Sequence, residues 1–290
     1  MTIRESWLRA RDRLASARID DSGLEAEVLL RHALGVDRAV FFSVLGAEVT
    51  PDRQARADSL VRRRAAGEPL SYILENREFY GLDFMVNPSV LVPRQETELL
   101  VEKVLEFSAR RTASAGGRGH GNGLTVADIG TGSGAIAVAV AKSLPEATVY
   151  ATDASREALA VADVNRCRHG VTGRVHLRHG DLLQALPAPV DVLVSNPPYI
   201  RTAEVAGLAP EVRREPVLAL DGGPDGLGVM RRLFQQASGF VREGGLMAVE
   251  IAPGQLEAVT RIARSCFPSG QVSHDLDLAG LPRVVRVAVW

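Results

Sequence analysis
Along residues 1–75 the apolar positions recur at helical spacing. Trp7, Leu8 and Leu14 mark a first helix, and Ser22-Gly-Leu-Glu25 reads as a capping box ahead of Val28, Leu29 and Leu30. A third helix starts at Thr50-Pro51, with Thr50 as N-cap and Pro51 at the first helical position, and stops before Gly67. At Arg77 the pattern changes. Glu78–Val86 alternates as a strand pair or hairpin around Gly81; Asn87-Pro88 and Val92-Pro93 then break the chain, and helical periodicity resumes over Glu96–Phe107. Residues 108–123 (SARRTASAGGRGHGNG) read as a mobile surface loop.

Beyond that loop, strands and helices alternate. Candidate strands are Leu124–Ile129, Thr148–Thr152, Arg174–Arg178, Val190–Ser195 and Leu246–Ile251, with helical stretches near 134–143, 155–168, 227–242 and 255–266. Such alternation predicts an α/β fold, a mostly parallel Rossmann-like sheet with helices on both faces. Val272–Leu276 and Arg283–Val289 have no helix between them, so they should pair antiparallel at the sheet edge and bring it to seven strands. The expected organisation is a helical domain over 1–75, a hairpin and linker over 76–95, and a sheet domain over 96–290.

Composition narrows the function classes. Against 34 Lys+Arg stand 35 Asp+Glu, a net charge of −1, which argues against direct nucleic-acid binding through a basic surface. With 46% hydrophobic residues the chain can bury a sizeable core. Cys167 and Cys266 make no disulfide framework, and no C-x-x-C or Cys/His cluster offers a metal site; a reducing cytoplasm is the natural compartment. The first residues, MTIRESWLRARDRL, carry no secretory apolar core. The longest apolar run, Ala135–Ala141, is far short of the roughly 20 residues needed to span a bilayer, so no membrane partner is expected. The six histidines are scattered and read as surface or packing residues.

Two motifs carry chemistry. Asp128-Ile-Gly130-Thr131-Gly132-Ser133-Gly134 follows an apolar strand and opens a helix, so its glycines let a ligand approach backbone N–H groups at a helix N-terminus. Asp153, at the end of the next strand, is placed to take both hydroxyls of a ribose. This shorter loop, G-x-G-x-G, suits an amino-acid-bearing nucleoside better than a dinucleotide. The second motif, Asn196-Pro197-Pro198-Tyr199, follows the fourth strand and should face the same crevice. Prolines donate no N–H and leave carbonyls free; Asn196 adds a side-chain carbonyl and Tyr199 an aromatic face. Together they describe a receptor for a planar –NH2 group.

Asp128–Gly134 with Asp153 resembles the S-adenosylmethionine site of the seven-stranded methyltransferases, and Asn196–Tyr199 resembles that superfamily's amino-group motif. Gly67-Glu-Pro-Leu-Ser-Tyr-Ile73, Arg77-Glu-Phe-Tyr-Gly81, Val92-Pro-Arg-Gln-Glu-Thr-Glu98, Glu215–Gly226, Glu250-Ile-Ala-Pro-Gly-Gln255 and Asp277–Arg283 narrow the likeness. They resemble the release factor glutamine methyltransferase family (HemK/PrmC type), over nearly the whole chain. The resemblance implies S-adenosyl-L-methionine as cofactor, with S-adenosyl-L-homocysteine as product, and Asp181 and Leu182 beside the adenine. It implies class I peptide chain release factors as protein partner, a helical substrate-recognition domain, and a monomer. The acceptor would be the glutamine of a Gly-Gly-Gln motif, bound by Asn196, Pro197, Pro198 and Tyr199. The side-chain oxygen of Asn196 and the backbone carbonyl of Pro197 would accept the two amide hydrogens. Asn196 also borders the cofactor. Gln95 departs from the family's usual proline, and Leu182 stands where some members place an aromatic. Glutamine methylation of a ribosomal protein and adenine N6-methylation of nucleic acid are the competing activities.

Overall fold
The protein is described from a computed structural model covering residues 1–114 and 123–289. Two compact units result: Met1–Asn76 with Ala209–Arg214, and Arg77–Leu208 with Glu215–Trp290.

The first unit is helical: α1 (Ile3–Ser16), α2 (Ser22–Leu34), α3 (Arg38–Ser43), α4 (Pro51–Ala65) and α5 (Leu70–Leu74). Leu14, Leu29, Leu30, Phe41 and Val61 form its core, with Trp7 edge-on to Phe41. Here the expected cap at Ser22 is corrected. Asp21 occupies the cap position of α2 without a side-chain hydrogen bond, and the Glu25 carboxylate turns instead to Arg64. The capping box of this unit lies at Thr2 and Glu5, where each side chain bonds the other residue's backbone N–H. Arg64 is buried at 4% exposure and forks between Glu25 (2.5 Å) and Glu211 (2.7 Å), so a buried charge ties the 209–214 segment to α4.

The second unit opens with a hairpin of β1 (Arg77–Phe79) and β2 (Leu82–Phe84), whose two-residue turn puts both Tyr80 (φ 53°) and Gly81 (φ 70°) in the left-handed region. A 3₁₀ turn over Gln95–Thr97 leads into α6 (Glu98–Ser114). The helix therefore runs seven residues past Phe107, because Ala109, Arg110, Arg111 and Ala113 are strong helix formers. Of the loop expected over 108–123, residues 115–122 lie outside the described residues.

The sheet contains β3 (Thr125–Ile129), β4 (Thr148–Asp153), β5 (Val175–His179), β6 (Val190–Ser195), β7 (Val241–Glu250), β8 (Gln271–Leu276) and β9 (Pro282–Ala288), in the order β5-β4-β3-β6-β7-β9-β8. Five strands are parallel; β9 inserts antiparallel between β7 and the edge strand β8. The connections hold α7 (Ala135–Ser143), α8 (Arg156–Arg168), the short α9 (Thr202–Val205) and α10 (Val217–Leu220), α11 (Gly228–Ala237) and α12 (Leu256–Cys266). Alternation along each strand divides the core. Val126, Val192, Val194 and Ala248 pack with α6 and α7, while Ala127, Leu193, Met247 and Val285 pack with α11 and α12. The helix expected over 227–242 ends earlier, at Ala237, because Val241 already pairs with Val190 as the start of β7. Among the described residues no helix is long and apolar enough to cross a membrane.

Candidate active site
The carboxyl ends of β3, β4, β6 and β7 meet at the reversal of strand order, where open parallel sheets bind ligands. A cavity of about 450 Å³ opens there, within the range of small-molecule sites.

The β3 end is shaped by the backbone. Gly130, Gly132 and Gly134 all have positive φ (74°, 55° and 81°), conformations that glycine adopts without the Cβ penalty. The Gly130 and Thr131 N–H groups both donate to the Thr152 carbonyl at 2.9 Å, and Gly134 packs against Ala162 of α8 so closely that an added Cβ would sit 3.1 Å away. Asp128 lies beneath the loop, fully buried. Its Oδ2 accepts from the Thr131 hydroxyl (2.6 Å) and the Ala137 N–H (3.2 Å); burial pushes its carboxyl up to about 7 against the pull of those two bonds. At the β4 end, Asp153 Oδ2 accepts from Gly132 N–H (2.9 Å) and Oδ1 from Ser155 N–H (2.8 Å). Each oxygen keeps a lone pair for a further donor, and burial raises the carboxyl above its ordinary value.

After β5 the chain turns through Gly180, Asp181 and Leu182. An added Cβ at Gly180 would meet that of Ala185 at 2.8 Å, and Leu182 itself is left-handed (φ 52°). The Asp181 carboxylate is engaged by Arg232 of α11, which also lines the cavity.

The opposite wall is made by side chains. Asn196, just past β6, donates from Nδ2 to Thr97 Oγ1 (3.1 Å); Thr97 donates to Glu250 Oε2 (2.6 Å), at the end of β7. The Tyr199 hydroxyl completes the chain by donating to Glu250 Oε1 (3.4 Å). Thr97 and Glu250 are buried, and desolvation pushes Glu250 up to about 7, opposed by the Thr97 bond and by Arg283. Burial and the nearby Glu250 push the Tyr199 hydroxyl up to about 12. The backbone of Pro198–Tyr199 lies in a cradle of glycines: a Cβ on Gly222 would fall 2.7 Å from the Pro198 carbonyl oxygen, and one on Gly226 2.5 Å from that of Tyr199. Gln255 Nε2 also donates to the Tyr199 carbonyl (2.9 Å).

The cavity wall thus brings together Gly130, Thr131, Gly132, Ser133, Asp153, Asp181, Leu182, Asn196 and Pro198. Asp128, Gly134, Pro197 and Tyr199 stand behind that lining. Sequence reasoning overlooked Thr97 and Arg232, the Pro88–Leu91 stretch with Pro93 and Arg94 along the wall, and the role of Glu250 in holding Thr97. The available signal for Glu250 was a carboxylate at the end of the apolar run Leu246–Ile251. Glu98, two residues into the same stretch as Glu96, accepts the Tyr80 N–H (2.9 Å) and holds the hairpin turn.

The residues present fit S-adenosylmethionine. Nothing lies within 4 Å of a Cβ built on Gly130 or Gly132, so a side chain there would fill the very space a ligand would use, and Asp153 retains capacity for ribose hydroxyls.

Comparison with known proteins bears on both units. Residues 5–74 match the PrmC N-terminal domain, and residues 119–211 match the methyltransferase small domain. The chain is 47% identical over 270 residues to the release factor glutamine methyltransferase of Moorella thermoacetica, covering 91% of this chain and 90% of that one. It is 45% identical to the protein of the same name from Geobacter sulfurreducens, covering 98% and 95%. A methyltransferase structure from Pyrococcus furiosus superposes with a TM-score of 0.52 at 19% identity, covering 82% of this chain and 98% of that one, a likeness of fold.

Proposed function
Since the chain belongs to the release factor glutamine methyltransferase family, and is an S-adenosylmethionine-dependent protein-glutamine methyltransferase, we propose that Asn196 holds the acceptor amide for this reaction. The acceptor is the glutamine of the Gly-Gly-Gln motif in class I peptide chain release factors. The observation that carries this reading is the Asn196 amide, pinned by Thr97 on a wall facing the glycine loop.

A primary amide nitrogen is a poor nucleophile because its lone pair is delocalised into the carbonyl. S-Adenosylmethionine supplies, when bound, a methyl carbon already activated by its sulfonium and leaves as S-adenosylhomocysteine. What remains for the protein is positioning and local electrostatics. Asp153 takes the ribose hydroxyls, the Gly130–Ser133 backbone borders the methionine portion, and Asp181 with Leu182 borders the adenine. Asn196 Oδ1 and the Pro197 carbonyl accept the two hydrogens of the glutamine amide. As the nitrogen forms its bond to carbon it becomes more positive, so both hydrogen bonds strengthen in the transition state, and that difference is the catalytic gain. The displaced proton leaves to solvent. Tyr199 packs beside the acceptor with its hydroxyl tied back to Glu250. The helical unit recognises the release factor, and the protein acts as a cytoplasmic monomer.

The test is methyl transfer from labelled cofactor to purified release factor, to its variant with alanine for the Gly-Gly-Gln glutamine, and to duplex DNA. Label appears on the first alone. Label on DNA with none on release factor would reverse the assignment.

A further inference from the structure
An amide side chain presents nearly the same shape whichever way it is turned, yet only one orientation of Asn196 can accept hydrogens from an acceptor amide. Flipped, it offers donors to donors. The orientation must therefore be imposed by whatever bonds its other end, and here that is a single hydroxyl.

Thr97 Oγ1 has one proton and lies between two partners, Glu250 Oε2 at 2.6 Å and Asn196 Nδ2 at 3.1 Å. An ionised carboxylate is an acceptor only. Against it the Thr97 proton must point at Glu250, and the Thr97 oxygen can then only accept, which obliges Asn196 to offer its NH2. Oδ1 is left as the acceptor that Asn196 can offer to the cavity it lines. A protonated Glu250 reverses the sense. Its own O–H can donate to Thr97, whose hydroxyl is then free to donate onward, and the carbonyl rather than the NH2 of Asn196 becomes the favoured partner.

We propose that Thr97 and Glu250 are positioning residues for methyl transfer, forming a buried relay that keeps the Asn196 carbonyl turned toward the acceptor amide. The inference rests on the reading of Asn196 given above and adds the two residues that enforce it. The relay joins three distant segments: the turn before α6, the end of β6 and the end of β7. The groups facing Glu250 are Thr97 and Glu96 from that turn, Tyr199 from the segment after β6, and Arg283 from β9. Tyr199 donates to Oε1, and Arg283 adds positive charge while itself paired with Asp277 (3.0 Å); both favour the carboxylate. Burial and Glu96 oppose it, which leaves the group titrating at about 7. Turnover should therefore be full above that value and fall as Glu250 takes up its proton. The acceptor amide does not itself titrate in this range, so the acid limb belongs to the enzyme.

The experiment measures kcat against pH with a purified release factor, at saturating cofactor, for the intact enzyme and for Thr97→Val, Thr97→Ser, Glu250→Gln and Asn196→Ala. Thermal midpoint and cofactor Kd are measured on each. Thr97→Val removes the relay hydroxyl, and loss of a hydrogen bond to a buried polar group lowers kcat about 10- to 100-fold. Thr97→Ser restores the hydroxyl and keeps kcat within about threefold of the intact enzyme. Gln at 250 can present either its carbonyl or its NH2 to Thr97, so Glu250→Gln lowers kcat about tenfold and flattens the acid limb. Because both act through one chain, the double variant is no slower than Thr97→Val alone. Cofactor Kd changes less than kcat in every variant, because the glycine loop and Asp153 are untouched.

Wild-type kcat in Thr97→Val, or an unchanged acid limb in Glu250→Gln, overturns the relay. If Thr97→Val does not fold, the Glu250→Gln profile decides. Should Asn196→Ala also keep its turnover, the reading of Asn196 falls with it. If Asn196→Ala is inactive while the other variants behave as the intact enzyme, only the relay fails.

Discussion

The two walls of the cavity are held by different kinds of interaction. The glycine-loop wall closes on itself: Thr131 bonds Asp128 three positions away, and Gly132 bonds Asp153 across adjacent parallel strands. The Asn196 wall has no such local support. Asn196 is held by Thr97, 99 positions earlier, and Thr97 by Glu250, 153 positions later. Backbone geometry shapes the first wall, and it depends on φ and on the absence of Cβ atoms. The second is shaped by which atom carries a proton, so it responds to pH and to single side-chain exchanges. One wall is suited to holding a cofactor of fixed shape, the other to distinguishing an amide from a carboxylate.

That contrast can be broken deliberately. The largest effect is expected at Gly226→Ala, since φ is 74° there and the new Cβ would lie 2.5 Å from the Tyr199 carbonyl oxygen. A left-handed non-glycine residue together with a backbone clash destabilises by about 2–4 kcal/mol and displaces the Asn196–Tyr199 segment. Denaturant melts should show the loss, and turnover should fall while the cofactor Kd of the remaining folded protein changes little. Asp153→Ala acts on the other wall. Losing hydrogen bonds from a carboxylate to ribose hydroxyls weakens cofactor binding about 10- to 100-fold, measured by calorimetry. Saturating cofactor should recover most of the turnover, which no concentration should do for a variant of the Asn196 wall.

The smallest effect concerns stability at Glu250. Its carboxyl titrates at about 7 in the folded protein and at 4.5 when free, so between these values the folded state binds the extra proton. Stability therefore falls as pH rises through that window, by up to about 1.4 kcal/mol per pH unit for a single group, and the cost of the buried charge is complete above about 7. Glu250→Gln removes this share of the slope, leaving those of Asp128 and Asp153, which are raised in the same sense. Unfolding midpoints recorded between pH 5 and 8 should flatten, and at pH 8 the variant should be no less stable than the parent. A carboxylate that costs stability at working pH is more readily explained by what it does for Asn196 than by packing.

The same contrast decides what the amino-acid order revealed. The glycine loop, its helix and Asp153 follow from patterns within some thirty residues, and strand-helix alternation with a helix-free final pair of strands was enough for the seven-stranded sheet. Asn196 was legible as an amide with two prolines behind it. Its partner was not, because Thr97 is a single polar residue at the start of a helix, and only the folded sheet brings it against Glu250. The glycines at 222 and 226 were visible as a motif. Their reason, a close approach of two backbones, is a tertiary fact. Local competition misled at Ser22, where a complete capping signature lost Glu25 to the buried Arg64. Helix α6 outran its expected end because propensity past Phe107 remained adequate after the apolar periodicity had faded.

Single-turnover methyl transfer to a purified release factor by Asn196→Ala, at saturating cofactor and with Asp153→Ala alongside, tests the central assignment most directly. The account predicts that Asn196→Ala loses about two orders of magnitude or more in the transfer step, more than one hydrogen bond alone because alignment is lost with it, while binding cofactor nearly as the parent does. Asp153→Ala should transfer at close to the parental rate once saturated. Near-parental transfer by Asn196→Ala would contradict it.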